Sequence, residues 1–184
     1  MKWLFLRHGE IESNRKKVYA GWSEEGLTPK GRHQAIEVVK NLSDSDIGTI
    51  CCSPLKRTLQ TAEIIGEILR KKPIPFESFK ELKLGIWEGK SEEEIQRDFA
   101  EEWDLWNTRP AELGLEGRET LHELLERVLS GVNKIKAQPR DGNVLVVTHV
   151  AIIRVLVLYT LGLDLNLYRT VAIPNGKLIE IKGL

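Results

Sequence analysis

Two histidines and two arginines stand in three short runs whose residue types suit chemistry on a tetrahedral oxyanion. The runs are Arg7-His8-Gly9-Glu10, Ser53-Pro54-Leu55-Lys56-Arg57 and Thr148-His149. A guanidinium offers planar, paired donors that match phosphate oxygens. A neutral imidazole is a competent nucleophile toward phosphorus, and a protonated one offsets charge on the transferring oxygens. One site can therefore hold a nucleophilic and an electrostatic histidine, and Gly9 would let the chain turn tightly beside the nucleophile. Taken singly, each residue has a plainer explanation. A histidine after a strand is usually structural or merely exposed, and an arginine in a helix's first turn is usually a surface charge. The chemical reading depends on one fold bringing the four together.

Periodicity and capping signals give the elements that must do so. Trp3 to Leu6 is a short apolar run that reads as a buried strand. Thr28-Pro29 supplies an N-cap and a first helical position. Ala35, Val38, Val39 and Leu42 follow on one face. Ile47 to Cys52 reads as a second strand, and Ser53-Pro54 repeats the cap-then-proline signal. Leu55, Leu59, Ala62 and Ile65 mark a helix that stops in Arg70-Lys71-Lys72-Pro73. Asn143 to Thr148 is an apolar strand, and Ala151 to Leu161 a buried helix closed by Gly162. Each chemical run thus follows a strand, and in open α/β sheets ligands collect at the carboxyl ends of strands. Arg57 also lies in a helix's first turn, where backbone N–H groups and the dipole favour an anion.

Between these parts the pattern is less regular. Ser91-Glu92-Glu93-Glu94 reads as a capping box for a helix to about Trp106, and Thr120 with Glu123 as another. The second precedes an amphipathic helix through Leu121, Leu124, Leu125, Val128, Val132 and Ile135. The tail, Thr170 to Ile173, Pro174-Asn175-Gly176 and Lys177 to Ile181, reads as two strands joined by a turn. The expected fold is an α/β three-layer sandwich: a mostly parallel sheet with helices on both faces and antiparallel C-terminal strand pairing. Residues 1–184 are expected to form one domain, with about 83–118 as a small insertion over the active site. An edge strand at the tail is a feature that a homodimer would cover.

Composition narrows the partners. Lys plus Arg is 27 and Asp plus Glu is 27, so the net charge is zero. Such a chain gains little from non-specific attraction to nucleic acid or anionic membrane, and neither is expected as a partner. The two cysteines, Cys51 and Cys52, are adjacent and cannot staple distant segments, which fits a reduced, cytoplasmic setting. Two Cys and four His leave no zinc-type spacing. The N-terminus reaches Arg7 too soon for a signal-peptide core. The most apolar stretch, Val144 to Leu163, is broken by His149 and Arg154 and is a poor membrane span.

The same residues carry a family resemblance. Leu6-Arg7-His8-Gly9-Glu10 with Asn14 and Gly21 resembles the signature of the histidine phosphatase superfamily, the phosphoglycerate-mutase-like proteins. So do Leu27-Thr28-Pro29-Lys30-Gly31 with Gln34-Ala35, and Ser53, Arg57 and Gln60-Thr61-Ala62-Glu63. Glu81 with Gly85-Ile86-Trp87-Glu88-Gly89, Glu119-Thr120, and Val147-Thr148-His149 with Ile153-Arg154 continue it in the family's order. Arg-His-Gly alone is a weak motif; six ordered motifs across nearly the whole chain are a strong one.

The resemblance implies that His8 attacks the phosphoryl group and becomes phosphohistidine. Arg7, Arg57 and His149 would hold the phosphoryl oxygens, assisted by Asn14 and Gly21, with the Val150 N–H in reach. Glu81 would protonate the leaving oxygen and then activate water. The resemblance implies that no metal is required, and no cofactor is expected for this chain. This sequence departs in having Ile11 where Thr is common, and Val150-Ala151 where Gly-Gly or Ala-Gly is common. It also has Arg118 where Gly is usual, either a one-residue offset from Gly117 or an extra cation near the mouth. The implied enzyme is a metal-independent histidine phosphatase, a phosphomonoester hydrolase of a small phosphorylated metabolite. The short chain and Val18-Tyr19-Ala20-Gly21 look similar to α-ribazole phosphatases. Metal-independent phosphoserine phosphatases and broad sugar-phosphate phosphatases share the motifs. A phosphoglycerate mutase using the same phosphohistidine is the alternative, disfavoured because the family's mutases carry added closing segments. A non-catalytic phosphate-binding module is the remote one. Trp103 and Trp106 are expected to pack the insertion on the sheet or to line a substrate pocket. Arg118, Lys83 and Arg109 are candidate partners for a substrate carboxylate.

Overall fold

The computed structural model describes residues 1–42, 46–139 and 141–184. Its sheet runs β3-β2-β4-β1-β5, with β1 at Trp3–Arg7, β2 at Ile47–Cys52, β3 at Ile74–Pro75, β4 at Asn143–Thr148 and β5 at Leu178–Ile181. All neighbours are parallel except β1 with β5. Residues alternate between the faces as the strand period requires. Trp3, Phe5, Val144, Val146 and Cys51 enter one core, and Leu4, Leu6, Ile50, Cys52, Leu145 and Val147 the other. Both faces are therefore buried, which explains why β1 and β4 read as unbroken apolar runs. The fold is the expected α/β sandwich.

On the second face lie α2 (Pro29–Leu42) and α3 (Lys56–Leu69). Thr28 opens α2 as anticipated, its hydroxyl accepting from the Gly31 N–H at 3.0 Å. On the first face lie α6 (Leu121–Lys136) and α7 (Val150–Thr160). The Thr120–Glu123 capping box forms as read, and a Ser91–Glu94 box opens α4 (Glu92–Asp98). A short helix α1 (Glu12–Lys16) follows the Arg7 run. No helix among the described residues is long and apolar enough to cross a membrane.

Three readings need correction. The helix after Ser91 does not continue to Trp106. Phe99 leaves helical geometry at φ −140°, ψ 52°, and α5 (Ala100–Thr108) restarts beyond it. Ser53 does not cap α3. That helix starts at Lys56 with Leu55 at the cap, and the Ser53 hydroxyl lies 2.8 Å from His149 Nε2. The tail is not a hairpin. Leu165–Thr170 is a 3₁₀ segment, residues 171–174 are not strand, and β5 pairs with β1 instead. The reason is competition for backbone acceptors from side chains elsewhere in the fold: Arg154 Nε donates to the Val171 carbonyl and Arg7 Nη1 to that of Ile173, and Pro174 follows.

Register places the chemistry. Arg7 pairs with Thr148 and Cys52 with Val147, so β1, β4 and β2 end in line. The His8 N–H then donates to the Thr148 carbonyl at 2.9 Å, and the Ser53 N–H to that of Val147 at 3.0 Å. Residues 83–118 pack on the α6–α7 core through Leu84, Trp87, Ile95, Trp106 and Leu113.

Candidate active site

A cavity of about 420 Å³ opens at these strand ends, lined by Arg7, His8, Asn14, Gly21, Arg57, Glu81 and Val150 among others. His8 is almost fully buried. Its Nδ1 lies 2.7 Å from the Gly9 carbonyl, an acceptor only, so Nδ1 carries the proton and Nε2 keeps its lone pair. Burial, then Arg57 and Arg7, holds the His8 pKa well below the usual imidazole range, so the ring stays neutral.

His149 is wholly buried behind it, the two rings 5.3 Å apart and edge-on. It too is held neutral by burial and then by Arg57. Ser53 engages its Nε2, and its Nδ1 is buried with no protein partner.

Arg57 reaches the site from the first turn of α3. Its Nη1 donates to the Ser23 carbonyl at 2.8 Å and its Nη2 to that of Gly21 at 2.6 Å, while Nε has no protein acceptor. Arg7 Nε is likewise without one. Neither guanidinium joins an ion pair among the described residues. Two buried cations lacking counter-ions make a site for an anion, because an uncompensated buried charge is costly.

Glycine matters at two positions. Gly9 does not adopt the left-handed conformation expected of a tight turn. It is glycine because a Cβ there would lie 2.2 Å from the Gly31 carbonyl oxygen, where α2 crosses the loop. Gly21 does have positive φ, +49°, and this turns its carbonyl onto Arg57.

Asn14 Oδ1 accepts from the Ile11 N–H at 3.2 Å and from Asn175 Nδ2 at 2.9 Å. With its oxygen engaged, the Asn14 amide offers the cavity a donor.

Glu81 brings the one half-buried carboxyl to the cavity wall. Burial raises its pKa, opposed by Arg57, the Leu82 N–H at 2.9 Å, Arg7 and the Ala151 N–H. Its segment is clamped from both sides. Arg127 of α6 donates to the carbonyls of Ser78 (2.9 Å), Lys80 (3.1 Å) and Glu81 (3.4 Å), and grips Glu119 with two bonds of 2.7 Å. Trp22 Nε1 donates to the Glu81 carbonyl at 2.8 Å.

A neutral imidazole with a free Nε2, two unpaired guanidiniums and a carboxyl biased toward its acid form can together move a phosphoryl group. The comparison with known proteins agrees. A model described as "Histidine phosphatase superfamily (branch 1)" matches residues 3–183.

The chain belongs to the histidine phosphatase superfamily.

Phosphoserine phosphatase 1 of Hydrogenobacter thermophilus is 29% identical over 96% of this chain and 83% of its own length. A protein of Escherichia coli named "Probable phosphoglycerate mutase GpmB" is 29% identical over 96% of this chain and 82% of its own. The solved structure of Bacillus stearothermophilus YhfR superposes with a TM-score of 0.90 at 28% identity, covering 99% of this chain and 92% of that one. Enzymes named in this superfamily thus include a phosphatase and a mutase of small phosphorylated molecules.

Among the residues singled out from this superfamily member's sequence, His149 is the one catalytic candidate that lies behind the cavity rather than on its wall. Arg109 is excluded: it is exposed and paired with Glu112 at 2.9 Å. Lys83 lies elsewhere, 6.0 Å from the Trp22 ring. Arg118 is no cation at the mouth. It is buried, 4.6 Å over the Trp106 ring, with Nη1 on the Leu113 carbonyl. Trp103 packs against Trp87, whereas Trp106 both packs in the core and reaches the cavity.

Sequence reasoning missed Asn175, which bridges Asn14 and the His8 carbonyl, because Pro-Asn-Gly reads as a turn. It also gave no role to Tyr19, Arg154, Tyr168 or Arg169, all on the cavity wall. Arg154 and Tyr19 stood in quoted motifs, while nothing local marks Tyr168 or Arg169.

Proposed function

We propose that the chain is a phosphomonoester hydrolase acting through a phosphohistidine on His8. The observation that carries this reading is the neutral His8 ring, proton pinned on Nδ1 by Gly9, with Nε2 free beside Arg7, Arg57 and the Glu81 carboxyl.

Nε2 attacks phosphorus and the bond to the leaving oxygen breaks. Protonated Glu81 gives its proton to that oxygen. Water then attacks the phosphohistidine and passes a proton to the Glu81 carboxylate. The N–P bond breaks, and inorganic phosphate leaves with His8 regenerated. Arg7, Arg57 and Asn14 hold the phosphoryl oxygens, with the Val150 end of α7 facing them. Buried His149 supports the phosphoryl group from behind His8. Lys17 and Glu92, both exposed, line the mouth, so water reaches the cavity, which favours hydrolysis over transfer to a second substrate. Among the described residues no three His, Cys, Asp or Glu side chains are grouped to hold a metal, and the two guanidiniums supply the positive charge. The leaving group belongs to a small phosphorylated metabolite; α-ribazole phosphate, phosphoserine and sugar phosphates are the substrates to compare.

The test is phosphate release from p-nitrophenyl phosphate and from that panel, with and without a chelator, alongside a mutase assay primed with 2,3-bisphosphoglycerate. Steady phosphate release that the chelator leaves unchanged is expected. Transfer without net release would establish the mutase instead. Inhibition reversed by magnesium would reject metal independence.

Arg127 gives a further check on Glu81. Arg127→Met strands three carbonyls and the Glu119 carboxylate, so a stability loss of about 2–4 kcal/mol is expected. The folded variant should lose more activity on poor leaving groups than on p-nitrophenyl phosphate, because the acid is displaced. Equal losses on both would remove Arg127 as a positioning residue.

A further inference from the structure

We propose that the part of the cavity away from His8 is a subsite for a second anionic group, built from Arg154 and Arg169 with the Tyr19 hydroxyl. The substrate is then a small phosphomonoester that also bears a carboxylate or a further phosphate. This rests on the phosphatase reading and narrows its substrate.

Arg154 projects from α7 with its guanidinium 4.9 Å over the Tyr168 ring and its Nε on the Val171 carbonyl at 2.7 Å. Arg169 lies 5.1 Å over Trp103 and 5.8 Å over Trp106, and its Nη1 donates to the Tyr19 hydroxyl at 3.3 Å. Each guanidinium is held by a ring and by a hydrogen bond, so its donors are pre-organised for an anion. Neither joins an ion pair among the described residues. Both line the cavity that holds Arg7, His8 and Arg57. Arg154 is close enough to Arg7 to act on its charge and so adjoins the phosphoryl end. Arg169 is held instead at Trp103 and the Tyr19 hydroxyl.

Charge balance points the same way. The carboxylates on the wall are Glu81, protonated when it acts as acid, and exposed Glu92 at the rim. A phosphate dianion answers Arg7 and Arg57. Arg154 and Arg169 have no counter-ion among the described residues and are left for a second anion, through the donors not engaged by Val171, Tyr168 and Tyr19.

Trp106 and Tyr168, two of the rings on the cavity wall, carry guanidiniums. Arg118 and Arg169 already stand over Trp106, and Arg154 over Tyr168. Cations of the chain's own therefore compete for these two rings with a planar leaving group such as that of α-ribazole phosphate. Arg118, buried behind Trp106, adds positive potential to this wall.

The test compares kcat/KM of the intact protein for O-phosphoserine, its methyl ester, 3-phosphoglycerate, fructose 1,6-bisphosphate, glycerol 3-phosphate and α-ribazole phosphate. At least one doubly anionic ester is expected to exceed glycerol 3-phosphate about tenfold or more. If the second anion is a carboxylate, O-phosphoserine exceeds its methyl ester similarly. If it is a phosphate, the bisphosphate leads. Arg169→Gln should lower the ratio of the preferred anionic ester to glycerol 3-phosphate by about 10–100-fold, mainly through KM, as expected for losing a charge-assisted hydrogen bond. Arg169→Lys should restore part of it. Glycerol 3-phosphate or α-ribazole phosphate as the best wild-type substrate, or a ratio unmoved in Arg169→Gln, overturns the subsite while leaving the phosphatase intact. No hydrolysis of p-nitrophenyl phosphate overturns both.

Discussion

Replacing His8 with alanine is expected to reduce turnover on every phosphomonoester by on the order of 10⁴-fold or more, to the floor of the assay. Nε2 is the unprotonated ring nitrogen beside the unpaired guanidiniums of Arg7 and Arg57. His149 cannot take over, since it is buried behind His8 and tied to Ser53 at 2.8 Å. The wild-type protein, quenched during turnover, should carry phosphate in an acid-labile, alkali-stable N–P bond, and the variant none. Because His8 is packed in the core, His8→Asn serves beside it. Its amide can donate to the Gly9 carbonyl and preserve the fold while lacking the nucleophile. A folded variant of either kind with substantial activity would remove His8 from the mechanism.

Glu81→Gln is expected to lower kcat/KM for glycerol 3-phosphate and other poor leaving groups by about 10²–10⁴-fold, but for p-nitrophenyl phosphate by only a few-fold, because kcat/KM reports the steps through leaving-group departure and not the later attack of water that Glu81 also assists. An alkoxide must be protonated as it departs, whereas nitrophenolate leaves unaided. The pH profile follows from the two shifts. The acid must carry its proton, so the rate on poor leaving groups falls as pH rises through the Glu81 pKa. Burial has moved that pKa upward, which extends the active range toward neutrality. His8 must be neutral, and its pKa is held well below the usual imidazole range, so loss on the acidic side begins only below that range. Glutamine has no proton to lose, so the alkaline fall should disappear in the variant. An equal fall in kcat/KM for all esters, or an unchanged alkaline limb, would assign the proton to another group.

Much of the site was legible in the chain. Arg7, His8, Arg57 and His149 follow strands whose apolar runs are continuous because both sheet faces are covered. Strand ends are short-range features, and so are the caps at Thr28, Ser91 and Thr120, whose partners lie three residues away. Gly9 was singled out correctly but for the wrong physical reason: the helix pressed against it, not its own turn, demands glycine.

What remained hidden depended on partners far away in the chain. Ser53 looked like a helix cap, yet its hydroxyl meets His149, 96 positions on. The tail looked like a hairpin, yet the Ile173 carbonyl belongs to Arg7, 166 positions earlier. Arg109 and Arg169 are the same residue type near aromatic residues, and only packing puts the first in solvent against Glu112 and the second over Trp103 in the cavity.

The sequence by itself therefore determined the α/β layering, the strand ends and the residue types capable of phosphoryl chemistry, because periodicity, caps and burial act over a few residues. The tertiary structure alone decided that Arg7, Cys52 and Thr148 end in register, that Arg127 clamps the Glu81 segment, and which arginines keep their donors for an anion. Those outcomes turn on which distant acceptor each donor finds once the sheet has closed, and no local pattern encodes that choice.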